Sequence, residues 1–268
     1  MSEPTLTRYQ SHGVTLLGDE PVPQGVAFAF TERTGGVSHG CFASLNLGGA
    51  CGDEPSSVAE NRRRALAAMG ADAWEGALVN PHQVHGDRVV VVRASSAEEV
   101  SAAQADAAAG ADAIVCTANH VPVLLCFADC VPVVLVAPGG FAVVHSGWRG
   151  TIARISAKAA RVLAEETGSP VSQILAYVGP HIGREDYEVS PELAERFSAE
   201  FGPGVIWGER NLDLGAAVSA ALVAEGVPAG SIACCDVSTA SATERFFSYR
   251  AEHGKCGRHG AVAVMNGE

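Results

Sequence analysis

Residues 121–150 read VPVLLCFADC VPVVLVAPGG FAVVHSGWRG. Three apolar runs of strand length follow one another here: Val121–Phe127, Val131–Val136 and Phe141–Val144. All are rich in valine, whose branched side chain suits a pleated surface. Ala137-Pro138-Gly139-Gly140 reads as a hairpin turn joining the second run to the third. Polar, reactive residues interrupt the apolar context where the runs end. Asp129 and Cys130 precede the second run, and His145 follows the third. The 15-residue step from Cys130 to His145 fits a hairpin that brings both to one end of a sheet.

Outward from this stretch, further strands are predicted at Val26–Thr31, Arg88–Arg93, Ala113–Cys116, Ile174–Val178, Ile232–Cys235 and Ala261–Met265. A glycine turn follows the first of them at Gly35–Gly36. One helix is expected from Ser56 or Ser57, as N-cap, to Gly70. Another starts near Thr151, where Ile152, Ile155, Ala159, Val162 and Leu163 recur at helical spacing before Gly168. Pro191–Phe201 and Leu214–Gly226 are two more. Ala94–Gly110, rich in Ala and Ser, is either a linker or a short surface helix. Strands clustered in the middle with helices around them predict a mixed α/β (α+β) fold. It is a single domain, residues 1–268, of layered, largely antiparallel mixed sheets flanked by helices. Strict βαβ alternation, G-x-G-x-x-G and P-loop motifs are absent, so nucleotide binding in those modes is not indicated.

Composition narrows the function. Of the 268 residues 47% are hydrophobic and 18% charged, enough to bury a full core. The longest apolar stretch is broken by Asp129 and prolines, and the N-terminal region lacks a signal-peptide pattern. A soluble, cytoplasmic protein with no membrane contact is predicted. A net charge of −12 opposes phosphate backbones, which argues against nucleic-acid binding. A local arginine pair can still hold a small anion. Eight cysteines without a secretion signal should remain reduced. Cys41, Cys51, Cys116, Cys126, Cys234, Cys235 and Cys256 read as core.

Cys130, His145 and, from a separate loop, His85 form a candidate metal centre. Two imidazoles and a thiolate leave tetrahedral zinc one open position, as catalytic sites do. Such a metal lowers the pKa of a bound water or polarises a substrate oxygen. The plainer reading makes Cys130 a buried thiol and the histidines satisfied loop residues.

The chain from about Phe30 to Met265 resembles the laccase-domain family, long labelled multicopper polyphenol oxidases and now described as purine nucleoside phosphorylases. The landmarks run in order through Thr31-Glu32-Arg33-Thr34-Gly35-Gly36-Val37-Ser38, Ser44-Leu45-Asn46-Leu47-Gly48, Gly52-Asp53 and Asn61-Arg62. Then come Gln83-Val84-His85-Gly86, Ala128-Asp129-Cys130, His145-Ser146-Gly147-Trp148-Arg149-Gly150, Gly179-Pro180 and Phe246-Phe247-Ser248-Tyr249-Arg250 with Gly257-Arg258. His181 stands where relatives often carry a small residue. The resemblance implies a fold shared with a toxin cysteine hydrolase, and one zinc ion on His85, Cys130 and His145, with copper as a possible substitute. It implies phosphorolysis of adenosine, inosine, guanosine and methylthioadenosine, with deamination of adenosine besides, so the partners are purine nucleosides and phosphate. Oligomeric state is left open.

Phosphorolysis needs cationic side chains to aim phosphate at the ribose. Arg33 and Arg149 are the candidates, Arg149 being counted with the catalytic group. Asn46 and Gln83 are candidates for ribose or base contacts, or ties between loops. Asp129 is a candidate carboxylate behind a metal-binding histidine. Trp148 either covers a base or packs in the core, and Arg250 and Arg258 are lesser candidates for holding an anion. Two other readings compete. Cys130 as nucleophile with His145 as base makes a metal-free thiol hydrolase. A copper-dependent polyphenol oxidase needs several copper centres, for which nine scattered histidines and three methionines are a poor supply.

Overall fold

The valine-rich runs become strands because alternate residues find apolar partners on opposite faces. The computed structural model describes residues 3–19 and 22–267. Its strands are β1 (Thr7–Ser11), β2 (Val14–Gly18), β3 (Val26–Thr31), β4 (Val89–Val92), β5 (Ala113–Cys116), β6 (Val123–Phe127) and β7 (Val131–Ala137). They continue with β8 (Gly140–Ser146), β9 (Leu175–Val178), β10 (Ile206–Trp207), β11 (Asn211–Leu212), β12 (Ile232–Cys234) and β13 (His259–Met265). The α-helices are α1 (Pro55–Ala68), α2 (Ala97–Ala108), α3 (Trp148–Ile152), α4 (Ile155–Thr167), α5 (Pro191–Phe201) and α6 (Leu214–Glu225). Among the described residues no helix is long and apolar enough to cross a membrane.

One sheet has the order β1-β2-β3-β13-β6 and is antiparallel throughout. The other runs β12-β9-β7-β8-β5-β4, antiparallel in its centre with a parallel pair at each edge. The sheets pack face to face over a core that includes Phe28, Phe30, Phe127, Phe141, Val143 and Tyr177. The opposite face of the six-stranded sheet carries Ala142 and Val144, covered by Ala159, Leu163, Phe197 and Leu222 of the helices. Ala65 and Leu66 of α1 cover the outer face of the five-stranded sheet. The mixed, layered α/β fold is therefore as the sequence predicts.

The β7–β8 hairpin decides where the chemistry goes. Its turn is Pro138-Gly139, with Gly139 at φ 81°, a left-handed position that glycine adopts without strain. The register pairs Pro132 with His145 and Val131 with Ser146. Period-two alternation then puts Cys130 and His145 on the same face, at the end away from the turn. Cys130 packs against the inter-sheet core, and the His145 ring lies 5.5 Å from that of Phe127.

Several boundaries differ from expectation. The predicted helix near Thr151 is two helices, α3 and α4, because Arg154 adopts φ 56° between them. The first helix begins at Pro55 after Glu54, since proline's fixed φ suits the first helical turn better than a serine cap is needed. Ala94–Gly110 contains α2, not a linker, and Ser96 caps it by accepting from the Glu99 N–H. Strands β1, β2, β10 and β11 are additional. Phe141 is fully buried, so Phe141→Ala should cost about 3–5 kcal/mol of stability, read as a lower urea midpoint with unchanged slope.

Candidate metal centre

Three segments deliver the three side chains. His145 ends β8, Cys130 precedes β7, and His85 stands on the loop before β4. Their Sγ and ring-nitrogen atoms all lie within 4.8 Å of one another, and the two imidazoles meet edge to face at 4.8 Å between centroids. Among the described residues this is the one cluster of three or more such ligand groups.

What assembles it is Asp112, the residue that leads into β5. Its carboxylate is wholly buried and accepts from His145 Nδ1 at 2.8 Å. It also accepts from the backbone N–H groups of Val84, His85 and Gly86 at 3.2, 3.0 and 2.7 Å. His85 takes φ 58°, the left-handed turn that lets successive N–H groups converge on one anion. Burial alone would raise the Asp112 pKa, but the His145 ring and these N–H groups outweigh it and hold the carboxyl ionised.

The Asp112 bond also fixes the His145 tautomer. With Nδ1–H committed, Nε2 presents its lone pair toward Cys130, the arrangement that carboxylate-backed metal histidines use. Burial pushes the Cys130 thiol up, yet the facing His145 and His85 rings bring it below its ordinary value. Burial likewise opposes charge on His145, but the Cys130 thiolate and Asp112 raise its pKa. Without metal the pair is a thiolate beside an imidazolium. A Cβ on Gly147 would sit 3.1 Å from both Cys130 Sγ and His85 Cδ2, so glycine there keeps the space between the ligands open. The donor set suits a borderline metal with bonds of about 2.0–2.3 Å, the exposed His85 ring having room to draw inward.

All three groups line a cavity of about 940 Å³. Its walls carry Arg62, Arg250 and Arg258 and the rings of Trp148, Tyr187 and Tyr249. Burial, with Cys130 and Asp129 nearby, pushes the Tyr187 phenol up to about 12, so it stays protonated. Among the described residues no carboxylate lies within ion-pairing distance of these three arginines, whereas eleven other arginines make such pairs.

The sequence candidates divide sharply. Arg33 does not line the cavity. Its guanidinium donates to the carbonyls of Ala43 and Thr243, pairs with Glu252 at 3.1 Å and stacks on Phe247, which makes it a clamp between loops. Arg149 is exposed on α3, stacked 5.1 Å from the Trp148 ring and outside the cavity. Asn46 is buried and ties Gly48, Asp53 and Arg258 together. Gln83 does reach the cavity wall, but its amide is occupied in a two-way pair with the backbone of Cys126. Asp129, held at φ 88°, supports no histidine. Its carboxylate accepts from Thr239 Oγ1 and the Arg250 N–H, each at 2.7 Å, latching the segment that carries Tyr249 and Arg250 over the site. Trp148 lines the cavity and also packs on the helical core. Cys41 and Cys234 are exposed, contrary to their core reading, Cys41 on a surface turn and Cys234 because β12 is an edge strand.

A family sequence model described as multi-copper polyphenol oxidoreductase laccase matches residues 27–266. The chain belongs to this family. It is similar to a purine nucleoside phosphorylase of Deinococcus radiodurans, 39% identical over 243 residues that make up 88% of each chain. It is similar also to adenosine deaminase RL5 from an unknown prokaryotic organism, 34% identical over 83% of this chain and 87% of that one. The crystal structure of YlmD from Geobacillus stearothermophilus superposes with a TM-score of 0.84 at 30% identity, covering 97% of this chain and 98% of that one. This is the family the sequence landmarks indicate, and a metal on the His-Cys-His cluster is in keeping with it.

Asp112→Asn should weaken metal binding about 10–100-fold, read by competition with a chromogenic chelator. Metal entering the thiolate–imidazolium pair displaces the His145 proton. Apparent affinity should therefore rise about tenfold per pH unit between the lowered thiol value and the raised imidazole value. Below that interval acid reprotonates Cys130 and the metal is lost; above it the curve should flatten.

Proposed function

We propose that the protein is a zinc-dependent purine nucleoside phosphorylase acting on adenosine, inosine, guanosine and methylthioadenosine, with adenosine deamination as a further activity. The observation that carries this reading is the set Arg62, Arg250 and Arg258. In a chain of net charge −12, these three guanidinium groups lack carboxylate partners among the described residues and share one cavity with the metal cluster. A cavity that concentrates unneutralised cations recruits an anion, and guanidinium forks match phosphate oxygens. The names of the relatives supply the reaction class to which that anion belongs.

In this reading the phosphate role passes from Arg33 and Arg149 to Arg62 and Arg258, which approach from neighbouring walls. Arg62 Nε is fixed by the Leu47 carbonyl, and Arg258 by those of Cys256 and Gly257, so both forks are oriented in advance. Trp148, Tyr187 and Tyr249 offer flat, amphipathic surfaces for a purine and ribose. A phosphate oxygen attacks the anomeric carbon, the N-glycosidic bond breaks, and the purine leaves with the bonding pair. Tyr187, kept protonated, is placed to donate a hydrogen bond as charge develops. His85, Cys130 and His145 would hold a zinc ion, which would supply Lewis acidity beside these groups. A chain with eight unpaired cysteines suits the reducing cytoplasm.

One feature favours a second reading. Asp112, His145 and Cys130 stand in the order carboxylate, imidazole, thiol, the logic of a thiol hydrolase. Metal and acyl chemistry claim the same sulfur, so elemental analysis with alkylation separates them. Stoichiometric zinc with Cys130 slow toward iodoacetamide supports the phosphorylase; metal-free protein with a fast thiol supports the hydrolase.

Zinc-replete protein incubated with adenosine should release adenine only when phosphate is present, with inosine as the minor product. Arg62→Ala and Arg258→Ala should each raise KM for phosphate about 10–100-fold, the worth of a charged hydrogen bond, with zinc content unchanged. Adenine release independent of phosphate would sink the proposal.

A further inference from the structure

Residues 181–187 form a strap with a cavity on either side. Ile182 and Tyr187 face the site described above, whereas His181 and Gly183 line a second cavity of about 440 Å³. The two share no lining residue. The second lies between the strap, the first turn of α6 and the end of β12, and its size falls within the range of small-molecule pockets.

At its floor is His181, only 9% exposed. Its Nδ1 donates to the Gly179 carbonyl at 2.8 Å, so Nε2 is left as an acceptor. Burial disfavours a second proton on the ring. Among the described residues nothing donates to Nε2. Nε2 opens onto the cavity as an acceptor that no protein donor occupies, so the N–H of a bound molecule can pair with it. The imidazole reaches this position because residue 215 is glycine: a Cβ there would come within 2.7 Å of Nε2. Helix α6 thus begins with the residue type that leaves this nitrogen facing the cavity.

Charge identifies the class of donor. Glu185, Asp213 and Asp236 line the cavity, with Arg184 the one basic side chain besides the neutral histidine. Arg184 is already engaged, 3.1 Å from Glu185, 3.9 Å from Asp213 and stacked over Trp207. An excess of carboxylates around an unpartnered acceptor selects a cation rich in N–H groups. A bare metal ion fits less well, since no three ligand atoms here converge as they do at Cys130.

We propose that this cavity is a binding site for a small organic cation, an alkylammonium or amidinium, which donates to His181 Nε2 and sets its charge against Asp213 and Asp236. The proposal is independent of the phosphorylase reading, because its test reads binding and not turnover.

Isothermal titration of the zinc-replete full chain with agmatine provides that test. Saturable one-to-one binding is expected, weakened about tenfold or more by His181→Phe and by Asp236→Asn. Zinc content should stay unchanged in both variants. If His181→Phe fails to fold, Asp236→Asn alone decides. Absence of saturable heat, affinity unchanged by the substitutions, or a second zinc per chain lost in His181→Phe would each overturn the proposal.

Discussion

The buried carboxylate of Asp112 is the point on which the centre depends. It receives three consecutive backbone N–H groups from the His85 loop and the Nδ1–H of His145, so one anion joins a loop to a strand end. A desolvated carboxylate is tolerated only when its lone pairs are filled, and here the filling groups are the ones that aim two imidazoles. Loop conformation, ring tautomer and thiol ionisation consequently form a single electrostatic unit. Disturbing any member leaves a charge stranded in the interior, although one of the imidazoles sits on an exposed loop.

The rest of the cavity follows a different principle. Its cationic and aromatic walls come from α1, α3, the strap after β9 and the segment around residues 246–258, and they meet only in the folded state. Asp129 is the fastener. Its strained backbone precedes Cys130, and its carboxylate holds the Thr239 hydroxyl and the Arg250 N–H. The His-Cys-His end is thereby fixed by strand ends and the Asp112 carboxylate, while the arginine and aromatic walls are fixed by hydrogen bonds between loops.

Much of this was legible in the chain. The valine runs and the Pro138-Gly139 turn settled the hairpin, and strand alternation then carried Cys130 and His145 to one face. The reactive triad stood out as polar residues in apolar surroundings. Roles that depend on direction were not legible. Arg33 and Arg149 adjoin glycine-rich motifs, yet nearby carbonyls and an acid consume one and solvent takes the other. Arg62 is hidden in a run of three arginines on α1, where helical phase alone separates it from Arg63 and Arg64, both paired with Glu60. Asp112 left one trace, a lone carboxylate at the mouth of an apolar strand. Such a residue needs a buried partner, and the sequence does not say which.

The place of β13 bears on how the molecule comes into being. This strand lies between β3 and β6, forming the only bridge between them, although it leaves the ribosome after every other strand described. Without β13 the facing edges of β3 and β6 would have no hydrogen-bond partner, and the inter-sheet core would lack Ala261 and Ala263. The fold therefore has a slot that β13 fills. Filling that slot also sets Arg258, the residue before β13, on the cavity wall, so the sheet and that wall are completed together.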